Sequence, residues 1–147
     1  SLRPMTFMDE DQIDSKFNEV TIGRALSRRV PSYGHWNVQL FQRQPSLVKF
    51  NYTFPLGSSI GIYGSKNRSP SHTKYDFMEI IGTGTSNRTI RSNIYHSNRH
   101  FQSAEFIQYL EQGNWFISTF NDASQPIDIT FVVLSAGNFK TLSFLKL

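Results

Sequence analysis

Apolar and polar residues alternate with a period of two over most of the chain from His35 onward. Between residues 46 and 55 the sequence SLVKFNYTFP places an apolar side chain at every second position, and residues 127–133 repeat the pattern. Successive side chains of a β-strand point to opposite faces, so such segments have one buried and one solvated face. The alternation therefore predicts a series of half-buried strands.

Short turns separate these strands. Residues 31–34, 55–58 and 121–124 are rich in Pro, Gly, Ser and Asn, which favour turns. We expect Phe106–Leu110 and Trp115–Phe120 to form a hairpin around Gly113-Asn114, since both residues tolerate positive φ. Closely spaced short strands predict an all-β fold, an antiparallel β-sandwich or jelly roll of about seven to eight strands with an irregular N-terminal segment.

The domain limits follow from where the alternation begins and ends. We interpret residues 1–34 as a partly irregular N-terminal extension, 35–136 as the β-sandwich and 137–147 as a C-terminal tail. The residues on the alternating apolar face are predicted to form the core: Trp36, Phe50, Tyr52, Ile60, Ile62, Phe77, Phe106, Leu110, Trp115, Ile117, Ile129, Phe131 and Val133.

Composition excludes several other classes of protein. Aromatic residues make up 14% of the 147 residues and charged residues only 18%, which is too apolar for disorder throughout. No stretch approaches the roughly 18 apolar residues of a membrane span. The absence of cysteine excludes disulfides, thiolate zinc sites and cysteine nucleophiles. A net charge of +4 without a basic cluster does not predict nucleic-acid binding. Because the chain starts with Ser, we interpret it as a fragment.

Catalytic chemistry is weakly indicated. Ser71, His72 and Asp76 are a compact Ser/His/Asp set, but no GxSxG elbow surrounds the serine, and triads assemble in space rather than in sequence. His96 and His100 have the i, i+4 spacing of a zinc motif but lack its glutamate. We therefore predict no enzyme activity, no metal and no cofactor.

The carboxylates do not form a calcium loop either. Asp76, Glu79, Asp122 and Asp128 lie in or near strands, without the spacing of a calcium-binding motif. We interpret them as solvated charges and turn caps, with Asn121-Asp122 making side-chain-to-backbone bonds in a turn.

Two kinds of modification are indicated instead. N-x-[ST] sequons occur at Asn51, Asn67 and Asn87. We predict glycosylation at Asn51, which should point outward from its strand, and at Asn87 in a polar loop, if the protein is secreted. Pro70 directly after the Asn67 sequon lowers its expected use. Arg88 and Arg91 form a minimal R-x-x-R sequence, a candidate protease site in the same loop.

A binding role would place contacts in the loops. The first candidates are Gly64–Thr73 and Gly82–Gln102. A sugar-binding surface would need exposed, coplanar aromatic rings, and the candidates are Tyr33, Tyr95 and Phe101.

Three blocks of this sequence closely resemble the teneurin family. They are PSLVKFN at 45–51, IGIYGSKNRSPSHTKYDF at 60–77 and FIQYLEQGNWFISTFND at 106–122. The residues in matching places are Tyr63, Lys66, Asn67, Pro70, Ser71, Tyr75, Asp76, Phe77, Gln108, Tyr109, Leu110, Gly113, Trp115, Asn121 and Asp122. The similar region is the extracellular segment next to the membrane, before the EGF repeats. More weakly, the pattern is similar to bacterial pre-peptidase C-terminal domains, which are jelly rolls.

The resemblance implies a type II transmembrane glycoprotein of the cell surface. Such a protein would act in cell adhesion and synaptic partner matching during neuronal development. Its partners would be other teneurins or latrophilin-like receptors, bound through the full-length protein, and the membrane anchor would lie outside this chain. The local role would be a non-catalytic spacer or accessory domain. The 137–147 tail has no EGF cysteines, so dimerisation through EGF repeats is not implied. The weaker similarity leaves open a carbohydrate- or calcium-binding module of a secreted hydrolase.

Overall fold

The computed structural model describes residues 18–82, 93–95 and 100–136, with the backbone alone at 93–95. These residues form strands and no helix, so they include no helix that could cross a membrane. The strands are β1 Asn18–Glu19, β2 Leu26–Val30, β3 His35–Gln42, β4 Ser46–Pro55, β5 Ser59–Lys66, β6 Phe77–Gly82, β7 Asn93–Tyr95, β8 Phe101–Leu110, β9 Gly113–Asn121 and β10 Ile127–Ser135.

The strands form two five-stranded sheets packed face to face. Sheet A has the order β1-β3-β9-β5-β6, and sheet B has the order β2-β10-β4-β8-β7. All pairings are antiparallel except that of β1 with β3. This arrangement confirms the predicted all-β sandwich. Within the described residues the strand count is ten, because it includes the two-residue β1 and the three-residue β7.

The prediction that residues 106–120 form a hairpin is wrong. Strand β8 belongs to sheet B and β9 to sheet A, so the chain crosses between sheets at Glu111-Gln112 instead of turning back within one. Gly113 does adopt positive φ, at 148°, but at the start of β9. Turn residues specify a change of direction. They do not specify whether the next strand pairs with the last one or faces it across the core.

The described part of the N-terminal segment is more regular than the sequence indicates. Strand β2 pairs with β10, and β1 pairs with β3, both before the predicted domain start at His35. Strand β2 was hard to recognise because it is a sheet edge whose exposed centre carries Arg28 and Arg29. Charged residues on an edge strand discourage pairing with other chains.

The core lies between the sheets and contains all thirteen predicted core residues, which confirms that prediction. Phe50 and Phe106 stack with ring centroids 4.9 Å apart, and Tyr52 stacks on Phe131 at the same distance. Offset aromatic pairs add to the free energy of area burial. The inner faces therefore give a rigid scaffold on which outward side chains are held.

Two loop boundaries differ from those predicted. Residues 64–66 belong to β5, so the first candidate loop is 67–76 and includes Tyr75. Phe101 and Gln102 belong to β8, and residues 83–92 and 96–99 of the second candidate loop lie outside the described residues. Gln102 is buried, and its Nε2 donates to the carbonyls of Pro55 and Ser58. Its polar side chain holds the turn between β4 and β5, which sequence alternation does not reveal.

Candidate functional site

The outer face of sheet A carries a set of aromatic and histidine side chains in mutual contact. The rings lie on β3, β5 and β9, on the β2–β3 turn and on the loop 67–76. We call this set the aromatic–histidine cluster, and its members are Tyr33, His35, Tyr63, His72, Tyr75 and Phe120.

Strand register and one glycine place the centre of the cluster. Phe120 on β9 lies opposite His35 on β3 and opposite Gly61 on β5. A Cβ at Gly61 would lie 3.1 Å from the Tyr63 ring, so that ring leans over the glycine. Tyr63 is only 8% exposed although it points away from the core. Burial raises the pKa of Tyr63, and the charges of Tyr75 and Asp122 raise it further.

The loop 67–76 is anchored at both ends. At its start, Asn67 donates its backbone N–H to the carbonyl of Asn114 at 2.7 Å, while Asn67 Oδ1 accepts the N–H of Asn114. At its end, Asp76 Oδ2 accepts the N–H of Lys66 at 2.7 Å, and Asp76 donates its own N–H to the carbonyl of Gly64. Between these anchors the loop carries His72 across the outer face of sheet A.

His72 joins the loop to two strands. Its Nδ1 forms a 3.0 Å hydrogen bond with the Tyr63 hydroxyl, and its Nε2 lies 3.4 Å from His35 Nε2. The Phe120 ring packs against both imidazoles, with centroids 4.9 Å from His35 and 5.0 Å from His72. Burial lowers the pKa of His35, and repulsion by His72 lowers it further. His35 is thus held neutral more strongly than an exposed histidine.

The Ser71, His72 and Asp76 set is not assembled as a triad. Ser71 Oγ accepts the backbone N–H groups of Thr73 and Lys74 within its own loop. Asp76 is bonded to the backbone of Lys66, and both ring nitrogens of His72 face other residues. Ser71 and Asp76 therefore fix the shape of the loop, and the loop places His72 on the outer face of sheet A.

The other titratable candidates are dispersed. Asp128 pairs with Arg29 at 2.9 Å on the exposed surface of sheet B. Glu79 is fully buried and faces the interior, where its Oε2 accepts the Gln108 amide. No three histidine or carboxylate side chains cluster as metal ligands within the described residues. His96 lies outside those residues and His100 is exposed.

The modification sites are partly described. Asn51 lies on the outward face of β4, half-buried, and its Nδ2 donates to Glu105 Oε2 at 3.2 Å. Asn67 is exposed, with φ 64°, and uses its Oδ1 in the loop anchor. Asn87, Arg88 and Arg91 lie outside the described residues, so glycosylation and cleavage there stay predictions.

The proposed coplanar sugar platform is not formed by its described members. Tyr33 is 58% exposed and contacts Phe120 on the outer face of sheet A, with the rings tilted by 34°. Phe101 begins β8 in sheet B, opposite Pro55, and so lies on the other side of the sandwich. The side chain of Tyr95 is outside the described residues.

A cavity of about 460 Å³ lies at the opposite end of β3 from the cluster. Phe41 is 62% exposed there, and the Arg43 guanidinium carbon lies 6.0 Å from its ring centroid. Phe41 lies on the outward side of β3, and local alternation carries no sign of a cavity. Its lining comes from β1, the segment after it, β3, the β3–β4 turn and β9: Glu19, Val20, Thr21, Ile22, Gln39, Leu40, Phe41, Arg43 and Asn114.

Solved structures show the same fold. The pre-peptidase C-terminal domain of collagenase from Bacillus anthracis superposes with a TM-score of 0.54, covering 79% of this chain and 92% of that domain. The two sequences are 7% identical, so the likeness concerns the fold alone.

Sequence comparisons identify relatives at higher identity. Teneurin-m of Drosophila melanogaster is 40% identical over 116 residues, and mouse Teneurin-3 is 35% identical over 131. These alignments cover 78% and 84% of this chain, but the chain spans only 4% and 5% of the two relatives. The family model described as teneurin-3-like, galactose-binding domain-like matches residues 14–135, which include every described strand. The chain therefore belongs to the teneurin family and corresponds to its galactose-binding domain-like region.

Proposed function

We propose that this chain is a non-catalytic extracellular β-sandwich domain of a teneurin-like type II transmembrane adhesion receptor. The observation that carries the proposal is the family match over residues 14–135. In this proposal the anchor lies outside the chain. Contacts with other teneurins or latrophilin-like receptors are made through the full-length protein.

The arrangement of the Ser71 loop supports a role without catalysis. A serine nucleophile needs a base in hydrogen-bonding reach of its hydroxyl. Ser71 Oγ instead accepts two backbone N–H groups, and His72 is committed to Tyr63 and His35. Its hydrogen bond to the Tyr63 hydroxyl and its packing against Phe120 hold the imidazole on the outer face of sheet A.

Two segments of the described chain meet at one end of the sandwich, the stretch that follows β1 and the end of β10. Gly23 donates its N–H to the carbonyl of Val133, and Ala136 donates to the carbonyl of Leu47. Val20 bonds to Gln39, near the end of β3 that leads directly into β4. Strand β1 begins beside Val38 and runs parallel to β3 toward this end, so the described chain starts halfway along sheet A and leaves where β10 stops. The proposal therefore keeps both local roles that the sequence left open, a membrane-proximal spacer and an accessory interaction domain.

Tagging the full-length gene product tests membrane orientation. Insect cells would express it with a different epitope at each end, and antibodies would be applied before and after permeabilisation. We expect the C-terminal tag alone to stain on intact cells. Staining of the N-terminal tag on intact cells, or of neither tag, would contradict the proposed orientation.

Glycosylation is tested in the same cells. Asn51→Gln and Asn87→Gln should each remove part of the gel shift produced by a glycosidase. Asn67→Gln is the matched control because its sequon is followed by Pro70. A shift that persists in the double variant and disappears in the control would show that the wrong sequons were chosen.

The placement of these two segments is tested by a distance between spin labels at Thr21 and Ala136. We expect a separation well below the roughly 33 Å length of a ten-residue strand. Labels at Thr21 and Gln125, which follows β9 at the other end, are the control and should give the longer distance. Equal distances in the two pairs would contradict the geometry.

A further inference from the structure

The imidazoles of His35 and His72 face each other with their Nε2 atoms 3.4 Å apart. A hydrogen bond from N–H to a nitrogen or oxygen usually has a donor–acceptor distance near 2.9–3.0 Å, so this separation is long for one. A tetrahedral zinc ion with zinc–nitrogen bonds of about 2.0–2.1 Å places two ligand nitrogens about 3.3–3.4 Å apart. The observed distance matches that ligand-to-ligand edge.

The surroundings of His72 are those of a metal ligand. Histidines that bind metals through one ring nitrogen usually donate the other N–H to a fixed acceptor, which sets the tautomer and the ring orientation. The Tyr63 hydroxyl lies 3.0 Å from His72 Nδ1, and its ring is held over Gly61. Donation from Nδ1 to this hydroxyl leaves the Nε2 lone pair directed toward His35.

Both imidazoles are held in place before any ligand binds. His35 opens β3, and the register of β3 with β9 sets its ring beside Phe120. His72 also packs against Phe120, and the two anchors of the loop 67–76 limit its movement. Little conformational entropy remains to be lost when the two nitrogens share one ion.

We propose that His35 and His72 bind one late first-row divalent metal ion, with zinc as the expected ion. Imidazole suits zinc, copper and nickel, whereas calcium and magnesium prefer oxygen. The described residues offer no cluster of three or more histidine and carboxylate ligands, so water would complete the coordination. His72 is exposed, which leaves that side open to solvent. The bound ion would join the loop 67–76 to β3.

The test is calorimetric titration of the metal-stripped 147-residue chain with zinc sulfate. We expect one ion per chain with micromolar affinity, and at least tenfold weaker binding in His35→Gln and in His72→Gln. Tyr63→Phe should weaken binding by about tenfold, because loss of an outer partner of a ligating histidine costs 10–100-fold. Calcium chloride should give no binding at the same concentrations.

His100→Gln is the matched control, since His100 is exposed and lies outside the cluster. It should bind zinc as the unaltered chain does. Far-ultraviolet circular dichroism would verify that each variant keeps its strands. Absence of zinc binding by the unaltered chain overturns the proposal. So does unchanged binding in His35→Gln and His72→Gln, or loss of binding in His100→Gln alone.

Discussion

The outer faces of the two sheets hold their side chains in place by different kinds of contact. On sheet B, polar side chains pair directly across neighbouring strands: Ser27 with Thr130, Arg29 with Asp128, Asn51 with Glu105 and Thr53 with Ser103. On sheet A, a loop lies over the strands and its histidine packs among aromatic rings. The first face is held by pairwise polar contacts, and the second by partly exposed rings packed around the buried Tyr63, which orient two imidazoles.

This difference has an energetic consequence. Exposed polar pairs contribute little to stability because water competes for each partner. Packed rings such as Tyr63 and Phe120 lose contacts that water cannot replace when they are truncated. We therefore expect substitutions on the outer face of sheet A to cost more stability than those at matched positions of sheet B.

Tyr63→Ala should have the largest effect. It removes a ring that is 8% exposed and contacts His72 and Tyr75. We expect the free energy of unfolding to fall by about 3 kcal/mol, as for other buried aromatic truncations. Denaturant unfolding measures this. The control is Thr53→Ala on the outward face of sheet B, for which we expect under about 1 kcal/mol. Equal losses would remove the distinction between the faces.

The bond between the two sheets should respond to pH. The Tyr52 hydroxyl of sheet B lies 3.2 Å from Thr119 Oγ1 of sheet A, and burial raises the pKa of Tyr52 above its ordinary value of 10.0. Above pH 10 the unfolded chain releases this proton while the folded chain keeps it. Stability therefore falls as pH rises, by up to about 1.4 kcal/mol per pH unit.

Tyr52→Phe isolates that contribution. At neutral pH it should cost about 1 kcal/mol, since Thr119 loses its partner. Above pH 10 the variant should lose less stability per pH unit than the unaltered chain, because the other tyrosines are common to both. Thermal unfolding between pH 8 and 11 makes the comparison. Parallel pH curves would show that Tyr52 ionises normally in the folded state.

Gly61→Ala tests whether Tyr63 needs the space above the glycine. The new Cβ would lie 3.1 Å from the Tyr63 ring, and we expect a loss of about 1 kcal/mol. In a chain that already carries Tyr63→Leu, Gly61→Ala should lower the free energy of unfolding by measurably less than it does in the unaltered chain. If Gly61→Ala lowers the free energy of unfolding equally in both chains, the loss arises from the backbone and not from the Tyr63 ring.

Arg29→Ala should have the smallest effect, below about 0.5 kcal/mol. Both side chains of the Arg29–Asp128 pair are more than 60% exposed, so solvent screens their attraction. Asp128→Ala should lower the free energy of unfolding by a similar amount. In denaturant unfolding with added salt, both variants should be as stable as the unaltered chain. A loss above 2 kcal/mol would mean that the outer face of sheet B also contributes strongly to stability.

The sequence predicted the core well for a physical reason. In a sandwich each strand buries alternate residues, so the period of two identifies inward side chains without knowledge of which strands pair. Phe50 and Phe131 are both fully buried between the sheets, as the alternation indicates. Strand pairing was harder, since Glu111-Gln112 lead to the opposite sheet although the chemistry there resembles that of a hairpin.

Buried polar groups were also missed, because alternation assigns polar residues to the outside. Asn121 is fully buried, and its Nδ2 lies within hydrogen-bonding distance of the carbonyls of Val30, Pro31 and Gln125. The sequence did predict side-chain-to-backbone bonds for the Asn121 turn. It could not show that two of the acceptors lie about ninety residues away.

The contacts of His72 in the aromatic–histidine cluster were also missed, because they join residues that are distant in sequence. His72 was considered only with its neighbours Ser71 and Asp76, yet its partners are Tyr63 and His35. His35 is 37 residues distant along the chain, and the contact depends on how the loop 67–76 lies across sheet A. No local spacing contains that information.

Residue-resolved nuclear magnetic resonance with zinc tests the account most directly. The metal-stripped, isotope-labelled chain would be titrated with zinc, and the imidazole nitrogen and backbone amide signals followed. We predict large shifts for the Nε2 atoms of His35 and His72, smaller shifts for Tyr63 and Phe120, and none for Arg29 or Asn51 on the other face. Shifts on the outer face of sheet B, or unchanged signals of His35 and His72, would contradict it.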